Sequence, residues 1–76
     1  MSHDQSETLI HMVNQIAHNL QSASDPATGV KNHLEKFWAR SMKERIIACL
    51  DAPDCALTPV ARQAVEQLAQ QRRQAS

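Results

Sequence analysis

The chain has 76 residues, 8 Lys plus Arg against 8 Asp plus Glu, one Phe, one Trp and no Tyr. That length allows one domain, near the lower limit for folding on a single apolar core, and zero formal net charge supplies no basic field of the kind a dedicated nucleic-acid binder carries. No apolar run approaches the ~20 residues of a membrane span, and the opening MSHDQSET is polar rather than cationic and then apolar, so the expected compartment is the cytoplasm.

The first helix is expected from about Gln5 to Gln21. Asp4 followed three residues later by Glu7 has the pattern of a capping box, in which each side chain satisfies an otherwise unpaired backbone N–H. At ~100° per residue, Leu9, Ile10, Met12, Val13, Ile16, Ala17 and Leu20 fall within one arc of ~160°, and His11, Asn14, Gln15 and His18 take the wet side.

Asp25 and Pro26 read as an N-cap with Pro at the first helical position, predicting a second helix from Pro26 to about Trp38. Ala27, Val30, Leu34, Phe37 and Trp38 form its apolar stripe, with His33 at the edge, and Gly29 weakens its first turn. Ser41 with Glu44 is a second capping box, predicting a third helix from Met42 to about Leu50, so that only Ala-Arg-Ser separates it from the second.

Pro53 breaks the pattern within DAPDCAL, because it lacks an N–H and disfavours helical geometry at Ala52. Thr58 and Pro59 open a fourth helix, whose small apolar residues Val60, Ala61, Ala64, Val65 and Leu68 line one face to about Ala69. The polar QQRRQAS is expected to fray, leaving a core over about residues 5–70. No stretch alternates apolar and polar over strand length, so residues 1–76 are expected to form one all-α domain of four short helices with no sheet.

Chemistry-bearing residues are sparse. His11 and His18 share a face, but seven residues of helix separate them by ~10 Å, too far for one ion held at ~2 Å. Cys49 and Cys55 match no zinc or thioredoxin spacing and are read as reduced thiols, with a local disulfide across the loop between them as the lesser alternative, and nothing in the sequence pairs Cys55 with a base. No catalytic, cofactor-binding or metal-binding residue is predicted. A helix-turn-helix would present Lys43, Glu44 and Arg45, a weak basic set that carries its own carboxylate. The alternative to a docking module is a small helical homo-oligomer or regulator, with weak DNA binding as one form of it.

The aromatic pair is the most informative feature. Phe37 and Trp38 differ by ~100° around a helix, so one ring faces the core while the other reaches the corner. Phe37 is expected to be buried, and Trp38 to be shared between the core and a partner. Trp, Arg and Met are enriched at interfaces, which makes His33, Phe37, Trp38, Arg40 and Met42 the candidate docking set.

LIHMVNQIA, then GVKNHLEKFW followed closely by Met42, then LTPVARQAVEQL, resemble the delta subunit of the soluble, molybdenum-containing, NAD-linked formate dehydrogenases. The shared pattern falls on Met12, Asn14, Ile16, Ala17, His33, Phe37, Trp38, Met42, Leu57 and Pro59. The chain departs from it at Ala39 and Arg40, where Asp-Pro is usual, and at APDC, where a Gly-rich loop is usual. The resemblance implies an accessory subunit that supports assembly or stability of the large molybdenum-binding subunit, with no membrane or nucleic acid involved. The implied complex carries molybdopterin guanine dinucleotide, iron–sulfur clusters and FMN and uses NAD, with none of these on this chain. Two cysteines do fall short of the four thiolates of an ordinary cluster.

Overall fold

The computed structural model describes residues 5–52 and 55–75. Four helices follow in order: α1 (Gln5–Asn19), α2 (Pro26–Phe37), α3 (Arg40–Ala48) and α4 (Pro59–Ala75), with a single 3-10 turn at Cys49–Asp51 continuing α3. No strand occurs among the described residues. The Cα radius of gyration is 11.7 Å, close to the ~11.4 Å that a compact chain of this length should have.

The apolar stripes meet in one core. Leu9, Val13 and Ala17 of α1 join Ala27, Val30 and Leu34 of α2, Ile46 of α3, and Ala61, Ala64, Val65 and Leu68 of α4. Alanines on the buried face of α4 let α2 approach closely, and α2 with α4 is the most extensive helix pair. Gly29 serves a second close approach: a Cβ there would lie 3.2 Å from Leu20 Cδ1.

Two of the expected caps form. Asp25 accepts from the Thr28 N–H at 3.3 Å and from the Thr28 hydroxyl at 2.8 Å, with Pro26 opening α2. Thr58 Oγ1 accepts from the Ala61 N–H at 3.4 Å, and its carbonyl from Arg62 N–H at 2.7 Å. Asp4, of the first expected box, lies outside the described residues.

The Ser41–Glu44 box does not form. α3 begins two residues earlier, with Ala39 as an N-cap that has no side-chain hydrogen bond. Glu44 turns away from Ser41, and its Oε2 accepts from Arg40 Nε at 3.2 Å and from Arg72 Nη2 at 2.9 Å. The C-terminal end of α3 is shorter than expected, ending at Ala48 before the 3-10 turn. Ala52 is extended at φ −78°, ψ 134°, as its position before a proline requires. Pro53 and Asp54 themselves lie outside the described residues.

α4 does not fray at Gln70 but runs to Ala75. Gln71 is clasped by α2, accepting from Lys31 Nζ at 2.9 Å and donating to the Glu35 carboxylate. Arg72 reaches Glu44 of α3, and both Arg72 and Arg73 lie in the last turn, where the helix dipole favours cations. No described helix is long and apolar enough to cross a membrane.

Candidate interaction surface

The α2–α3 corner is tighter than three residues. Trp38 caps α2 with φ −91° and ψ 141°, Ala39 follows at φ −65° and ψ 155°, and helix resumes at Arg40. Two extended residues turn the chain, while Trp38 N–H still donates to Leu34 O at 3.0 Å and Lys43 N–H to Ala39 O at 3.1 Å.

That turn decides the fate of the two rings, and it reverses the expected assignment. Trp38 is 7% exposed and belongs to the core, whereas Phe37 is 68% exposed. The stripe formed by Ala27, Val30, Leu34 and Trp38 has its centre ~35° from Trp38 and ~65° from Phe37 on the other side. The larger ring fills the core and the smaller one is left at the rim.

Phe37 is not isolated. The His33 ring packs on it with centroids 4.8 Å apart and planes tilted by 45°. Gly29, His33 and Phe37 form one row along α2 at intervals of four residues; the row begins under Leu20, is half-buried at His33 and ends bare at Phe37. Arg40, the first residue of α3, is exposed and pairs with Glu44. Met42 turns inward, half-buried against the core. Of the five candidate docking residues, His33 and Phe37 are in ring contact, Arg40 is exposed at the start of α3, Trp38 is buried in the core and Met42 is half-buried against it. Met12 of α1 is the other large apolar side chain classed as exposed among the described residues, at 37%.

Asn14 was placed on the wet side of α1 by its helical position, yet it has a structural task. Its Nδ2 donates to Ala56 O at 3.0 Å and its Oδ1 accepts from Thr58 N–H at 2.9 Å. The side chain therefore pins the segment that enters α4 onto α1. Helical periodicity carries no signal for such a bond, since the partners are backbone groups more than 40 residues away.

A groove of about 730 Å³ lies between the start of α1 and the α3 end, lined by Ile10, His11, Asn14, Arg45, Cys49 and Cys55 among others. Cys49 is buried and Cys55 half-buried, both as free thiols. No three His, Cys, Asp or Glu side chains are grouped to hold a metal among the described residues.

A family model described as the NADH-dependent formate dehydrogenase delta subunit FdsD matches residues 8–65, a span that includes Asn14, the whole α2–α3 corner and Thr58. No curated protein and no solved structure matches the chain.

Proposed function

Because the chain belongs to the family of NADH-dependent formate dehydrogenase delta subunits, we propose that it is a non-catalytic accessory subunit of a molybdenum-dependent, NAD-linked formate dehydrogenase. It acts in the cytoplasm by docking on the large, cofactor-bearing subunit and supporting its assembly or stability. Molybdopterin guanine dinucleotide, the iron–sulfur clusters and FMN reside on other subunits of that complex. The single observation that carries this reading is the family match over residues 8–65.

The mechanism is linkage. A subunit that binds only the folded, cofactor-competent form of its partner stabilises that form, by about 2.7 kcal/mol when present at a hundred times its dissociation constant. The α2–α3 corner supplies the contact. Phe37, bare and backed by His33, is the apolar anchor, and Trp38 holds the turn that presents it. An exposed aromatic seated in a partner's pocket is the kind of side chain that dominates binding energy at interfaces.

Affinity purification of the tagged chain from its own cells, with identification of the recovered proteins, tests the reading. The molybdenum-binding formate dehydrogenase subunit is expected to accompany it. Reproducible recovery of the chain without that subunit would overturn the proposal.

A further inference from the structure

The charges of this neutral chain are segregated. Residues 31–45 hold Lys31, Lys36, Arg40, Lys43 and Arg45 against Glu35 and Glu44, five cations to two anions, so this window is net +3 and the remainder net −3. Both anions are already engaged. Glu35 faces Lys31 at 3.8 Å and accepts from Gln71, while Glu44 serves Arg40 and Arg72 together. Lys36 and Lys43 have no ion pair or side-chain hydrogen bond among the described residues.

Local stability does not account for all of this placement. Lys36 is in the last turn of α2, where the helix dipole favours a cation. Arg40 and Lys43, however, open α3, whose first turn has no acidic residue and whose N-cap makes no side-chain bond. The dipole disfavours cations there. Lys36, Arg40 and Lys43 lie within six residues of Phe37 along the chain, on either side of the α2–α3 corner, and Phe37 is 68% exposed.

We propose that the α2–α3 corner docks onto an acidic protein face containing an apolar hollow that receives Phe37, with Lys36, Arg40 and Lys43 meeting carboxylates around the hollow's rim. This rests on the delta-subunit reading, and it assigns the complementary chemistry to the dehydrogenase subunit that receives the chain. The cations set the encounter rate and orientation, and the buried ring sets the lifetime of the complex.

The test is association of the purified full chain with the dehydrogenase purified without it, measured by surface biosensing across a salt series. For the native chain, the association rate should fall about tenfold or more between 50 and 300 mM NaCl. The Lys36→Glu/Lys43→Glu variant should associate about tenfold more slowly at low salt with a flattened salt dependence. Phe37→Ala should keep the association rate and dissociate about tenfold faster or more. Lys43 is half-buried, so Lys36→Glu alone is used if circular dichroism shows that the double variant has lost helix. Salt-independent association with the reversed-charge variant binding like the native chain would overturn the acidic face and leave the delta-subunit reading standing. Unchanged dissociation of Phe37→Ala would overturn the hollow. Binding of random-sequence duplex DNA as tight as that of the dehydrogenase, lost in the reversed-charge variant, would reassign the patch to nucleic acid. Failure of the native chain to bind the dehydrogenase at all would overturn the delta-subunit reading itself.

Discussion

Trp38 and Phe37 are adjacent in the chain and opposite in role. The stripe of α2 admits both, but the chain leaves the helix at Trp38, and its extended backbone carries the indole into the space between the helices. Trp38→Ala should therefore remove about 3–5 kcal/mol, enough to unfold much of a chain this small. Phe37→Ala should change stability by no more than about 0.5 kcal/mol. Urea titration followed by circular dichroism separates the two. A stable Trp38→Ala variant would show that the core tolerates the cavity, and an unstable Phe37→Ala variant would show that the ring is not free for a partner. Loss of complex by Trp38→Ala alone therefore says little about the interface, because the variant is expected to fail in folding first.

Among the helices, those opened by a side chain followed by proline were legible, and the start of α3, expected at a Ser41 cap, was not. Asp25-Pro26 and Thr58-Pro59 combine a side-chain acceptor with a fixed φ, two local effects that favour the same boundary. Ser41 with Glu44 had only the acceptor pattern, and Glu44 found stronger charged partners in Arg40 and Arg72. Thr58→Ala should accordingly cost about 1 kcal/mol, whereas Ser41→Ala, at an exposed first-turn position, should stay within about 0.5 kcal/mol. Thermal unfolding of the two variants checks this, and a Ser41→Ala penalty equal to that of Thr58→Ala would restore the capping box. The end of α4 was hidden for the same kind of reason. QQRRQAS looks like a solvated tail until α2 and α3 provide Lys31, Glu35 and Glu44 to receive it.

Taken whole, the molecule separates what holds it together from what it offers to a partner. The ion pairs Lys31–Glu35, Arg40–Glu44, Arg62–Glu66 and Arg72–Glu44 among the described residues have side-chain exposures from 18% to 81%, where each contributes about 0–1 kcal/mol, and stability rests on the apolar core. Raising NaCl from 50 to 500 mM should shift the melting temperature of the isolated chain by less than about 3 °C, measured by circular dichroism, whereas the proposed docking should weaken steeply with salt. A large drop in melting temperature would place the polar clasps on α4 ahead of the core. The amino-acid sequence by itself determined the all-α class, four helices, most of the buried stripe and the family, because apolar periodicity, proline-marked starts and short motifs are local properties. Tertiary structure alone decided which aromatic ring faces outward, where α3 begins, how far α4 extends and what Asn14 holds. The ring assignment turns on where the chain leaves α2, and each of the other outcomes depends on a partner group supplied by another helix or by a distant loop, whose position no local pattern encodes.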